Sequence, residues 1–224
     1  MPAVRIYGSI RSVDPTELGV ASERLLEAGV DGLHIDLADG VFVPELTFGP
    51  AVARALVERT GASVEVHLMV VEPERYLREL AQAGVARVSF HLEAAPYPWR
   101  ICSLARSLGL EVGLAANPAT AVDAITTAGQ AADFVNLLTT EPDYAGERLL
   151  PRMLERVRAV RAGLPDDVRI EADGGVDVDS ARALASSGAH DLVVGRAITR
   201  APEWRAALEN VRVAANARTG SLTR

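Results

Sequence analysis

SVEVHLMVVEPERYLRELAQAGVARVSFHL, residues Ser63 to Leu92, contains one complete strand–helix–strand unit. The runs Ser63–Met69 and Arg87–Leu92 are short and rich in Val and Phe, which is the signature of strands. Between them Pro73–Ala83 opens on proline, carries apolar residues at helical spacing and is followed by Gly84, so it reads as a helix with both its start and stop signals. Two strands separated by a helix of this length pair in parallel through a right-handed crossover.

The same unit recurs in both directions from this stretch. The remaining strand-like runs are Val4–Ile10, Gly32–Leu37, Glu111–Ala116, Phe134–Leu138, Arg169–Asp173 and Asp191–Val194, making eight with the two above. Helical patterns lie between them, among them Pro15–Glu27, Pro151–Ala162, Val178–Ser187 and Ala201–Val213. Successive strands begin 22 to 35 residues apart over about 210 residues, which fits a closed barrel better than an open doubly wound sheet. The expectation is an α/β protein, a single (β/α)8 TIM barrel domain over residues 1–224. The tail Ala214–Arg224 has lost the periodicity and is expected to fray. Catalytic residues of such a barrel belong at the C-terminal ends of its strands.

Composition narrows the chemistry. At 224 residues and 49% hydrophobic, the chain can bury one substantial core and has no room for a second large domain. The N-terminus lacks the basic start and apolar run of a secretory signal, and no window approaches 18 uninterrupted apolar residues. A soluble, cytoplasmic protein with no membrane partner is expected. A net charge of −7 argues against nucleic acid as a partner. The single cysteine, Cys102, permits no internal disulfide and reads as a buried thiol on a helix face. All 23 basic residues are arginine, so Schiff-base chemistry has no amine side chain to use.

Candidate ligands stand at strand ends. His34 and Asp36 are two residues apart on one strand and therefore share a face. His67 closes the third strand and Asp173 the seventh. Two imidazole nitrogens and two carboxylate oxygens suit Zn2+ or another borderline divalent ion such as Mn2+, Co2+ or Fe2+. Each residue alone has an ordinary explanation, as a barrel-lining histidine or a turn aspartate; four at the same rim point to a site. Asp36 and Asp173, from well-separated strands, could approach a substrate from different sides, as moving a proton between two faces of a carbon requires. Gly174 and Gly175 after strand seven, and Gly195 and Arg196 after strand eight, stand where barrels bind phosphate with backbone N–H groups and a helix N-terminus. Ser9 is a further substrate-contacting candidate. His91 and Asn117 read as satisfying hydrogen bonds at the rim, and His190 as a surface residue at the opposite end.

The stretch His34-Ile-Asp-Leu-Ala-Asp-Gly-Val-Phe-Val-Pro-Glu-Leu-Thr-Phe-Gly-Pro50 resembles the signature of the ribulose-phosphate 3-epimerase family, as do Val66-His-Leu-Met69, Asn117-Pro-Ala-Thr120 and Asp173-Gly-Gly-Val176. The resemblance spans nearly the whole chain. It implies metal binding by His34, Asp36, His67 and Asp173, with Asp36 and Asp173 as the acid/base pair, Ser9, His67 and Gly146 at the substrate, a ketose phosphate as the small-molecule partner and a homo-oligomer. The chain departs from the family pattern where substrate is recognised. Asp143 and Ala145 replace two glycines of the lid, Ala38 and Leu138 stand at methionine positions, Glu45 at an asparagine, and Arg196 at a serine. The expected activity is epimerisation next to the ketone of a ribulose 5-phosphate/xylulose 5-phosphate type of substrate. The alternatives are another ketose phosphate, such as a six-carbon 2-ketose phosphate, or a silent sugar-phosphate-binding barrel.

Overall fold

Successive side chains of a strand face opposite sides of its sheet, and here the two sides carry different chemistry. In the strand Gly32–Ala38, Leu33, Ile35 and Leu37 alternate with His34 and Asp36, and all five are buried. A strand buried on both faces, one apolar and one polar, needs helices on one side and a polar interior on the other. The computed structural model, which describes residues 3–142 and 148–217, provides this with a closed barrel of eight parallel strands in sequential order. These are β1 (Arg5–Ser9), β2 (Gly32–Ala38), β3 (Val64–Met69), β4 (Arg87–His91), β5 (Glu111–Ala116), β6 (Phe134–Leu138), β7 (Arg169–Asp173) and β8 (Asp191–Val194). The surrounding helices are α1 (Leu18–Ala28), α2 (Pro50–Thr60), α3 (Glu74–Gln82), α4 (Pro98–Ser107), α5 (Val122–Gly129), α6 (Met153–Gly163), α7 (Val178–Ser186), the short α8 (Arg196–Thr199) and α9 (Trp204–Asn216).

The expected strands are matched within a residue at either end. The first helical pattern divides into a 3-10 turn, Pro15–Glu17, and α1, because the Asp14 carboxylate accepts the Thr16 N–H and closes the turn before the helix begins. At the other end α9 continues through Asn216 and buries Ala214 and Ala215, three residues into the segment whose periodicity had faded. Residues 218–224 lie outside the described residues. Among the described residues no helix is long and apolar enough to cross a membrane.

The main apolar core lies between barrel and helices. Leu33, Ile35, Val66, Leu68, Leu114 and Leu137 from the strands meet Leu25, Leu56, Leu77, Ile125, Val157 and Leu184 from the helices. Each fully buried aliphatic side chain contributes about 1.5–3 kcal/mol relative to exposure. Cys102 belongs to this layer on α4, and burial pushes its thiol pKa up to about 11, which makes it a packing residue.

The barrel interior is charged where many barrels are aliphatic. Arg87 at the start of β4 is 2% exposed, with its guanidinium 3.1 Å from Glu65, 3.3 Å from Glu111, 3.5 Å from Asp191 and 3.6 Å from Glu171. These are ion-pair contacts without full hydrogen-bond geometry. The Phe134 ring lies 3.9 Å and the Tyr7 ring 4.5 Å from the same guanidinium carbon. Gly113 makes the room: a Cβ there would overlap the Phe134 ring. Arg5 and Arg169 both bond to Asp191 from the end of the barrel where the strands begin. His190, expected at the surface, is half-buried there, and its Nδ1 accepts the Ile170 N–H at 3.0 Å.

Candidate active site

Strand register brings the first two ligand candidates together. In the β2–β3 pairing Asp36 stands beside His67 and His34 beside Glu65. β7, three strands from β2 round the closed barrel, supplies Asp173. Asp36 Oδ1 is 3.1 Å from His67 Nδ1 and 3.4 Å from His34 Nε2, while Asp173 Oδ2 is 3.5 Å from each of these nitrogens. The four residues each offer a donor atom within 4.8 Å of all the others. His34 and His67 are fully buried, and Asp173 is the member most open to the cavity above.

The electrostatics are those of a cation site. Burial disfavours charge on His34, Asp36 and His67, yet His34, against Asp173, Asp36 and Glu65, is pushed well above the ordinary histidine range. His67 is raised by the same two aspartates against the same opposing burial. Asp36 is held far below the usual carboxylate range, since its two histidine neighbours outweigh desolvation. Two carboxylates and two imidazoles pointing at one another from three strands would be stabilised by a shared positive charge, and this donor set fits a divalent ion. Deeper in the barrel Glu65 lies 3.5 Å from His34 Nδ1, which leaves Nε2 as the nitrogen facing the cluster.

His91 corrects a sequence expectation. It is fully buried at the end of β4, and its Nε2 lies 2.9 Å from His67 Nε2. Its Nδ1 lies 3.0 Å from Glu93 Oε2. It therefore belongs to the site, not to the rim. Asn117 serves through its backbone, donating N–H to Glu93 Oε1 at 2.8 Å. Sequence reasoning passed over Glu93; a histidine and a carboxylate two residues apart, with the motif Asn117–Thr120 following β5, were the available signal.

Above the cluster opens a cavity of about 580 Å³. Ser9, Asp36, His67, Asp173, Gly174, Gly175, Gly195 and Arg196 all line it, so the described site candidates other than the deeper His34 meet at one opening. Gly174 and Gly175 have φ of 113° and 64°, in the left-handed region, and a Cβ at Gly174 would strike Thr140. The turn they form delivers the chain to α7, which Asp177 caps by accepting the Ser180 N–H while Ser180 returns a bond to the Asp177 N–H. Arg196 begins α8 on the cavity wall, and Arg11, Arg148 and Arg200, which sequence reasoning did not single out, line it too. Glu45 faces Arg11 in an ion pair at the mouth. The lid positions Asp143, Ala145 and Gly146 lie outside the described residues.

Residues 5–199 match the model of the ribulose-phosphate 3 epimerase family. The chain is 34% identical over 209 residues to a ribulose-phosphate 3-epimerase of Synechocystis sp., covering 91% of each chain. It is 33% identical over 213 residues to one from Bacillus subtilis, covering 93% of this chain and 98% of the relative. Among solved structures, orotidine 5'-phosphate decarboxylase from Pyrococcus horikoshii OT3 superposes with a TM-score of 0.68 at 19% identity over 94% of this chain and 98% of that one, a likeness of fold alone. The family match over nearly the full barrel, together with the four donor residues gathered at its mouth, makes the chain an isomerase that belongs to the ribulose-phosphate 3-epimerase family.

Proposed function

We propose that this chain inverts the carbon next to the ketone of a ketose phosphate of the ribulose 5-phosphate/xylulose 5-phosphate type, using Asp36 and Asp173 as the proton-transfer pair. The observation that carries the reading is the meeting of these two carboxylates, from β2 and β7, around two buried imidazoles at the floor of one cavity. The printed names of the relatives supply the substrate type.

Inversion requires that a proton leave one face of a carbon and another arrive on the opposite face. One aspartate, ionised, accepts the carbon-bound proton; the other, protonated, delivers its own, and the two exchange roles in the reverse direction. A divalent ion, Zn2+ first and Mn2+, Co2+ or Fe2+ as alternatives, held by His34, Asp36, His67 and Asp173 would supply Lewis-acid stabilisation of the charge that develops on the substrate oxygens. His34 and His67 hold the carboxylates in place through their contacts at 3.1–3.5 Å. Ser9 contacts the sugar, and the backbone N–H groups of Gly174, Gly175 and Gly195, with Arg196 beside them, take the phosphate. Gly146 keeps its proposed part in the lid.

The test is turnover of ribulose 5-phosphate by the wild type and by Asp36→Asn and Asp173→Asn. Each substitution should lower kcat on the order of 100- to 10,000-fold. Near wild-type turnover by either variant contradicts the assignment.

A further inference from the structure

We infer that Glu93 is a positioning residue that, acting through His91, fixes the tautomer of His67 and keeps the His67 Nδ1 lone pair turned into the four-donor cluster. The inference rests on the proposed reading of that cluster as a metal centre, and adds to it the residues that prepare one ligand.

From Glu93 inward to the cluster, each group leaves the next one choice of donor or acceptor. An ionised carboxylate only accepts hydrogen bonds. Glu93 Oε1 takes the Asn117 N–H at 2.8 Å and the Thr120 hydroxyl, so Oε2 is left for His91 Nδ1 at 3.0 Å, which must carry a proton. A neutral imidazole protonated on Nδ1 has its lone pair on Nε2. That lone pair faces His67 Nε2 at 2.9 Å, so His67 must be the donor there and must carry its proton on Nε2. Its Nδ1, 3.1 Å from Asp36 Oδ1 and 3.5 Å from Asp173 Oδ2, is then the nitrogen whose lone pair a divalent ion in the cluster would take; without an ion the two aspartates would hold a proton there instead.

The surroundings hold the relay in register. The two imidazole planes are 26° apart with centroids 5.0 Å from each other, the nearly in-line arrangement an N–H···N bond requires. The Phe42 ring packs on His91 with centroids 4.5 Å apart and restricts its rotation. Arg156 donates to the carbonyls of Asn117 and Thr120, pinning the turn that presents the two donors to Glu93. The motif Asn117-Pro-Ala-Thr120 thereby acquires a role two residues removed from any proposed ligand.

Glu93→Gln makes the inference testable because it is nearly isosteric and yet inverts the relay. The Asn117 N–H still demands an oxygen, so the amide oxygen takes the Oε1 position and the NH2 group faces His91 Nδ1. His91 must then accept at Nδ1 and donate at Nε2, His67 must accept at Nε2, and its remaining proton moves to Nδ1 and blocks ligation. Glu93→Ala removes the carboxylate at the solvent-facing edge of the site without imposing the inverted order. In chelator competition with Zn2+, Glu93→Gln should bind about 10- to 100-fold more weakly than wild type, and more weakly than Glu93→Ala. A purely structural role predicts the opposite order, with Gln close to wild type and Ala worse. Long-range 1H–15N spectra of the Zn2+-loaded wild type should place the proton on Nδ1 of His91 and on Nε2 of His67. Zn2+ affinity of Glu93→Gln equal to wild type, or a Zn2+-loaded wild type whose His67 is protonated on Nδ1, overturns the relay. A wild type that binds no divalent ion overturns the metal reading instead, and there a proton found on Nε2 rather than Nδ1 of His91 overturns the relay.

Discussion

Replacing Arg87 with methionine removes the one guanidinium among the described residues that contacts all of Glu65, Glu111, Asp191 and Glu171, at 3.1–3.6 Å, and leaves the apolar volume nearly filled. At an effective dielectric of ~20, each such contact is worth about 5 kcal/mol of gross Coulomb attraction. Desolvation offsets most of that sum, so the observable quantity is the cost of leaving carboxylates buried without their partner, about 3–5 kcal/mol. For a chain of this size, one kcal/mol moves Tm by about 2–4 °C, so the loss amounts to a fall of roughly 6–20 °C. The carboxylates are already unequal: burial and the neighbouring Glu65 push Glu171 well above the ordinary range, whereas Arg87 and His34 outweigh burial at Glu65 and bring it to about 2. Glu65→Gln in the Arg87→Met background should therefore recover part of the stability, because the ionised member of the pair becomes neutral. The assays are urea unfolding and calorimetry at pH 7 on wild type, both single variants and the double variant. An Arg87→Met protein within about 1 kcal/mol of wild type, well short of the loss expected for breaking a buried pair, refutes the view that the barrel floor is held by charge. Because Glu65 touches both Arg87 and His34, the loss would also reach the site.

Two further outcomes follow from the same geometry. Burial pushes Asp191 up, but Arg5, Arg169 and Arg87 more than compensate and hold it below its ordinary 3.8; its contribution to stability is present above about pH 4 and lost as pH falls through the depressed folded value. Asp191→Asn should accordingly flatten the acid side of the stability–pH curve, and parallel curves for wild type and variant below pH 5 contradict this. Arg196→Ser should raise KM for a phosphorylated ketose more than for its non-phosphorylated analogue, since the guanidinium stands on the cavity wall beside the glycine turns; equal effects on both would remove Arg196 from phosphate recognition.

The fold was legible because alternation is a local property. The unit in residues 63–92 repeats with little variation, and strand ends shifted by no more than one residue. His34, Asp36, His67 and Asp173 were legible for a related reason: period-two spacing and strand-end position place them without knowledge of packing. Arg87 was not, since a charged residue at a strand start reads as a solvated terminus, and only closure of the barrel turns it inward. His91 was misplaced for the same cause. Whether a histidine at a strand end faces solvent or a neighbouring imidazole depends on the β3–β4 register, which aligns His67 with Ser89 and leaves His91 one step higher on the same face. Arg11, Arg148 and Arg200 come from three separate loops and helix ends, so no spacing in the sequence connects them. The faded periodicity after Val213 reflects small apolar residues, Ala214 and Ala215, that pack without marking a strong stripe.

The central claim, that two opposed carboxylates move a proton across the plane of the carbon next to the ketone, is tested most directly by following wild-type turnover of ribulose 5-phosphate in D2O at early times. The account predicts that the xylulose 5-phosphate formed carries deuterium at the inverted carbon while the unreacted ribulose 5-phosphate keeps its hydrogen, because one group takes the proton and a different, solvent-equilibrated group returns one. Product that retains the original hydrogen at that carbon would mean that a single group, or no exchange with solvent, is at work, and would contradict the two-carboxylate account.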